Sequence, residues 1–190
     1  MSYKIIIISL SLFLSSLVSK GQNGYKNSIS SNYSFYESSH FSGGDISAQG
    51  IDLSYERYFK KRFFGTISYG LYHFEGRNSI FFLEPEEMDF INMRVFNLGV
   101  GYDVLQTERF VLSGDITYMR QSTQELISQL ESGGVIIRET GTIRDQTARV
   151  QLKARIFLTK NLQLIPAVAH GFQLSRYKSN WLRLGIGYSF

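Results

Sequence analysis

The chain has 190 residues, is 43% hydrophobic and only 19% charged, and contains 15 Phe, 12 Tyr, 17 Gly, 2 Pro and no Cys. Its formal net charge is +4; setting aside Lys4 and Lys20 leaves 18 basic against 16 acidic residues, without the dense basic face that a nucleic-acid-binding protein needs. The absence of Cys excludes a disulfide framework, a thiolate metal site and a Cys nucleophile, and this aromatic content is foreign to disordered or collagen-like chains.

The first element is an address. Lys4 precedes an apolar run from Ile5 to Val18, and small residues stand at Ser19 and Gly21. A basic start, an apolar middle and small residues at minus three and minus one are what a secretory signal peptide requires, with cleavage before Gln22. The run would span about 21 Å as a helix, short of the roughly 30 Å hydrocarbon core. The expected organisation is a signal peptide over 1–21 and one domain over 22–190. No later segment reaches 18 uncharged apolar residues.

Beyond it the chain alternates. A weaker strand, Ile29–Tyr36, is followed by three hairpins with short polar turns. Lys60-Lys61-Arg62 joins Ile51–Phe59 to Phe63–Phe74, Gln106-Thr107-Glu108 joins Val95–Leu105 to Phe110–Met119, and Thr159-Lys160-Asn161 joins Ala148–Leu158 to Leu162–Leu174. The last segment places Leu182, Leu184, Ile186, Tyr188 and Phe190 at even positions, against Trp181, Arg183, Gly185, Gly187 and Ser189 at odd ones. Phe96 to Val104 and Ala148 to Leu158 repeat the pattern. Period-two alternation means strands, since a helix would put residues i and i+2 on different faces. Eight strands result, with longer polar connections at Glu37–Ser47, Glu75–Asn92, Gln121–Asp145 and Ser175–Asn180. Within the longest, the capping-box pattern Ser122-Thr123-Gln124-Glu125 predicts a short helix near Thr123–Glu131, with strands running past the membrane as the alternative. Ile80-Phe81-Phe82-Leu83 is unusually apolar for a loop and suggests a strand extension or a contact with a partner or lipid.

The orientation of the two faces decides the class. One face carries Leu, Ile, Val, Tyr and Phe with almost no charge. The other carries Gly70, Gly99, Gly101, Gly171, Gly185 and Gly187 together with Asp52, Glu56, Asp103, Asp115, Arg149, Lys153, Arg155 and Arg183. Glycine suits the crowded inside of a narrow barrel, and an uncharged apolar face suits lipid. The predicted fold is therefore an all-β, eight-stranded antiparallel up-and-down transmembrane β-barrel; a soluble ligand-carrying barrel is the alternative. At about 2.6 Å of height per tilted residue, Glu56, Asp103 and Arg155 fall near one level, and Asp115, Lys153 and Arg183 near a higher one. Four acids and four bases balance, and buried ions must pair. An ion-pair plug closing the lumen is expected, helped by inward Tyr58, Phe64, Tyr72, Phe157 and Trp181; a selective pore lined by the same charges is the alternative. Tyr55, Phe59, Phe63, Phe110, Tyr188 and Phe190 would form an aromatic girdle at the turn side, and Tyr69, Tyr118 and Phe172 another at the loop side. Three residues fit less simply. Arg57 falls on the lipid face near a turn. Pro166 removes a ladder donor, for which a bulge would be the natural repair. His170 stands outward unless the register slips after Pro166.

The terminal run Arg183-x-Gly185-x-x-Tyr188-x-Phe190 resembles the C-terminal strand signal of outer-membrane barrels. With the eight strands and the leader, the chain resembles the small OmpA/OmpX-type barrels of Gram-negative outer membranes. That resemblance implies location in the outer membrane, contact with its lipid and recognition of the last strand by the barrel assembly machinery. It does not supply one function; a structural or surface-interaction role, in which the loops meet an extracellular ligand or partner, is expected, with a small selective pore as the alternative. No cofactor or metal is expected. Some small barrels are lipid-modifying enzymes, but the His-x-Ser-Asn element of lipid A deacylases is replaced here by His170-Gly171-Phe172-Gln173. A non-catalytic protein is expected.

Overall fold

A computed structural model describes residues 26–40, 45–76, 93–132, 135–172 and 177–190. The leader over 1–21, the apolar Ile80–Leu83 run and the Gly133-Gly134 pair lie outside the described residues.

The strands are β1 (Asn27–His40), β2 (Asp45–Tyr58), β3 (Phe63–Gly76), β4 (Met93–Gln106), β5 (Phe110–Ser132), β6 (Val135–Phe157), β7 (Leu162–Gly171) and β8 (Tyr177–Ser189). Each pairs antiparallel with its neighbours in sequence, and β8 pairs back onto β1 to close the barrel. Closure satisfies every edge, which is why the weakly patterned β1 is nonetheless a strand: Asn27–His40 pairs with β2 on one side and β8 on the other. The short turns are pinned locally. Phe59 N–H donates to Phe63 O at 3.0 Å, Thr107 N–H to Phe110 O at 2.8 Å and Leu158 N–H to Leu162 O at 2.9 Å. The Oγ1 atoms of Thr107 and Thr159 accept from the N–H groups of Phe110 and Leu162 at 3.0 and 3.1 Å. Lys26 N–H meets Phe190 O at 3.2 Å, so β1 begins and β8 ends at this same rim.

The faces are sorted as a lipid-exposed barrel requires. Val100, Ile116, Leu152, Leu182, Leu184 and Ile186 point outward, while Asp103, Lys153, Arg155 and Arg183 are 5% exposed or less. The sorting is the inverse of a soluble barrel's, where charges meet water and the apolar face is buried. Exposed Tyr55, Phe59, Phe63, Tyr188 and Phe190 ring the turn side, with Phe110 half-buried; Tyr69, Tyr118 and Phe172 stand at the loop side. Among the described residues no helix is long and apolar enough to cross a membrane.

Two expectations need correction. Gln121–Asp145 is not a loop, and Thr123–Glu131 is not a helix. Both belong to a ladder in which β5 and β6 run 23 residues each, with Thr123 opposite Ile143 and Gln124 opposite Thr142. The would-be capping residues lie in this ladder instead. β-Branched Val135, Ile136, Ile137, Thr140, Thr142 and Ile143 supply its other strand, and such residues favour a pleated surface over a helix. A register shift between Leu126 and Ser128 absorbs one extra residue. As in the alternative, strands continue through the segment. The second correction concerns Pro166. No bulge repairs it: Lys153 opposes Ala167 and Ile156 opposes Leu164, so the register is the same on both sides. The β6–β7 pairing instead skips Ala154 and Arg155, and Pro166 pairs with Leu184 on the other side. With no slip, His170 does stand on the outer face, its Nδ1 2.8 Å from Asn180 Oδ1. A bulge appears elsewhere, between Asp103 and Leu105, beside the β4–β5 turn.

Candidate functional site: the lumen

Every second residue of each strand points inward, and eight strands leave an interior only as wide as side chains can fill. Glycines make the room for large ones. A Cβ on Gly101 would stand 2.9 Å from Asp115 Cβ and within the Phe64 ring, and one on Gly70 would stand 2.5 Å from Tyr72 Cε2. The two rings thus occupy space that any larger residue would deny them.

The structure brings seven of the eight inward charges into one connected chain of contacts. Near the turns, Asp103 accepts from Gln106 Nε2 (2.7 Å), Ser113 Oγ (2.8 Å) and the Tyr58 hydroxyl (3.0 Å), and lies 3.4 Å from Arg155 Nη1. Arg155 also reaches Glu56 Oε2 at 3.0 Å and donates to Tyr58. Glu56 is shared with Lys153, which bridges upward to Asp115 Oδ2 at 3.1 Å. Gln151 continues the path: its Nε2 donates to Asp115 Oδ2 at 3.2 Å, and its Oε1 accepts from Arg183. Arg183 ends the chain on Asp52, which also accepts from Ser34 (2.8 Å), Asn32 (2.9 Å), Ser54 (3.1 Å) and Tyr72 (3.2 Å). The Phe64 ring stands beside Lys153 and Arg155, with Nζ 4.4 Å and Cζ 5.1 Å from its centroid. Cations over aromatic faces recover part of what burial removes.

Arg149 is the exception. Among the described residues it has no carboxylate partner; its Cζ lies 5.9 Å over the Trp181 ring and its Nε is unpartnered. It marks the boundary with an apolar cluster that fills the loop side of the lumen: Tyr36, Ala48, Tyr72, Met93, Val95, Met119, Ala169 and Trp181. At the turn side, buried Gln163 donates to Ser28 Oγ at 2.7 Å and Ser189 Oγ at 3.1 Å. Between the charges remains a polar void of about 10 Å³, room for a single water at most.

Sequence reasoning named the charges and missed their neutral partners. Asn32, Ser34, Ser54 and Gln151 carry no signal beyond parity; the capping of Asp52 follows only from the pairing of β1 with β2 and β8. The apolar cluster was half visible, through Tyr72 and Trp181. The terminal signal residues divide between faces: Arg183 and Gly185 inward, Tyr188 and Phe190 outward. Among the described residues no group of His, Asp and Glu could hold a metal.

No family model matches the sequence, and no curated protein matches it. Solved structures do. Ail, the attachment invasion locus protein of Yersinia pestis, matches with a TM-score of 0.58 at 12% identity, over 87% of this chain and 99% of Ail. This chain has the fold of the small outer-membrane barrels. The N-terminal barrel domain of OprF from Pseudomonas aeruginosa (0.55, 15%, over 90% and 100%) and Neisserial surface protein A (0.56, 13%, over 90% and 100%) match similarly. The shared features are the closed antiparallel ring and its eight strands. At these identities the likeness extends to the fold and no further.

Proposed function

We propose that the chain is exported by its first 21 residues and works as an integral barrel of a Gram-negative outer membrane, non-catalytic, with a closed lumen. The observation that carries this reading is the sorting of faces: an ion network inside, and outside an apolar belt with charges kept to its rims. A buried charge is tolerated only when paired and hydrogen-bonded, and lumen charges joined end to end hold the wall strands together rather than line a water path. The glycine-relieved packing of Phe64 and Tyr72, the apolar cluster above and the small void support closure. Insertion is assigned to the barrel assembly machinery through the terminal-strand signal Arg183, Gly185, Tyr188 and Phe190, and solvation of the outer face to membrane lipid.

The part that faces outward is the β5–β6 ribbon. β4 pairs with β5 only as far as Thr123, and β7 with β6 only as far as Arg149. Above those points, among the described residues, the two strands pair only with each other, to Ser132 and Val135. Nine residues beyond Thr123 extend it by roughly 30 Å at 3.4 Å per residue. A ribbon of this reach is the element through which a surface partner or extracellular ligand would be met. The test of closure is planar-bilayer conductance of the refolded chain. A barrel closed by its ion network gives no steady single-channel steps; reproducible steps from the unmodified chain would favour the selective-pore reading instead.

A further inference from the structure

Charge is spread unevenly over the three short turns. Glu108 stands beside Arg109 at the β4–β5 turn, and the β6–β7 turn holds Thr159, Lys160 and Asn161. The turn end of β1, β2 and β3 is one-sided: Lys26, Arg57, Lys60, Lys61 and Arg62 are all exposed there. The backbone gathers them. Tyr58 N–H donates to Lys26 O at 2.8 Å, Asp103 N–H to Arg62 O at 2.9 Å and Gln106 Nε2 to Lys61 O at 3.2 Å. The start of β1 and the β2–β3 turn are thereby fixed against their neighbours. With strands about 4.8 Å apart, the arc from β1 to β3 is about 10 Å wide, about one Debye length at 0.1 M salt. The five cations therefore share one field.

Among the described residues none of the five forms an ion pair. Glu56 and Asp103, at the same end of the barrel, point into the lumen, where Lys153 and Arg155 hold them. Beside the charges lies a shelf of rings. Arg57 stands on the outer face, opposite Asn27 on β1 and Gly65 on β3. The Phe59 ring covers the place a side chain at position 65 would take: a Cβ on Gly65 would stand 2.7 Å from Phe59 Cζ. Phe63 leans on Tyr102, their centroids 4.8 Å apart, and the Tyr55 hydroxyl donates to Asn27 Oδ1 at 2.7 Å. One level higher Ile67 faces Leu98, and the apolar belt begins. A guanidinium at the edge of such a shelf can hold a phosphodiester while apolar chains run up the belt. A free anion or a soluble acidic partner has no use for the rings. A headgroup amine would bring one more cation into a cluster of cations, so the patch favours a headgroup with net negative charge.

We propose that Lys26, Arg57, Lys60, Lys61 and Arg62 bind an anionic phospholipid of the leaflet at the short turns, its phosphodiester at Arg57 and its acyl chains on Ile67 and Leu98. The inference rests on the membrane reading given above. Trp181 is the chain's only Trp, so F63W in a W181F background places a single fluorophore at the shelf. The full chain is refolded into vesicles of phosphatidylglycerol and phosphatidylethanolamine, with bromine on the acyl chains of one lipid at a time, and folding is checked by heat-modifiable gel mobility. A folded chain quenched by neither brominated lipid would sink the membrane reading itself. Quenching is expected to show phosphatidylglycerol preferred at the shelf by roughly fivefold or more, about what one well-placed cation gives. The folded R57Q/K60Q/K61Q/R62Q variant should bring that preference to within about twofold of unity, while K60R/K61R, which keeps the charge, should leave it intact. A reporter at L158W, exposed at the same rim on the opposite wall, should also read within about twofold of unity. No preference at the shelf, a preference that survives the fourfold variant, an equal preference at L158W, or its loss to inorganic phosphate at constant ionic strength would each overturn the proposal.

Discussion

Replacing Arg183 with Met is expected to destabilise the folded barrel by about 3–5 kcal/mol, the cost of leaving a buried charge without its partner. Asp52 would keep its four neutral donors, Ser34, Asn32, Ser54 and Tyr72, and lose the one cation that touches it among the described residues. Gln151 Oε1 would lose its donor too. Removing both charges together, as Asp52→Leu with Arg183→Met, is expected to cost less than the two single changes summed, since residues in one network couple by about 0.5–3 kcal/mol. Urea titration in lipid vesicles followed by heat-modifiable gel mobility measures both. Additive losses would mean that the two side chains do not act as a pair.

A charge placed outside should cost as much as a charge stranded inside. Val100 lies midway along β4, 61% exposed, with Ile116 opposite it at the same exposure. In water such residues would welcome Arg. In a bilayer, Val100→Arg is expected to cost about 2–4 kcal/mol, whereas Leu158→Arg, at the turn rim and also exposed, should cost only about 0–1 kcal/mol. The native Arg57 sits at that tolerant rim, where its stem can carry the charge to the headgroups. The same vesicle titration reads the difference; equal costs at the two depths would show that no hydrocarbon slab surrounds the barrel.

The strand count, the three turns and the inward parity of the charges could all be read from the sequence, because alternation is local and a narrow barrel has only two faces. Two kinds of information could not. The first is competition between local signals. Ser122-Thr123-Gln124-Glu125 looks like a helix start, and only the β-branched strand from Val135 to Ile143, paired across a shifted register, decides otherwise. The second is cross-barrel partnership. Asp115 and Lys153 were legible as neighbours, since their strands are consecutive. Glu56 with Lys153 meets across the lumen, while Asp103 with Arg155 and Asp52 with Arg183 meet over one intervening strand, β5 and β1, and only the closed ring identifies these partners. Pro166 shows the reverse case. A missing donor suggested a bulge, yet the ladder tolerates two skipped pairs because β7 remains fully held by β8.

What surrounds the apolar face decides whether the barrel is membrane-embedded. Since the chain has no native Cys, single nitroxide labels at Leu184→Cys, outward, and Ala167→Cys, inward on the neighbouring strand, can be compared in reconstituted vesicles. Collision with dissolved oxygen should be strong at Leu184 and weak at Ala167, while a water-soluble nickel chelate should reach neither. Strong relaxation of the Leu184 label by the chelate would place that face in water and contradict the membrane-embedded barrel.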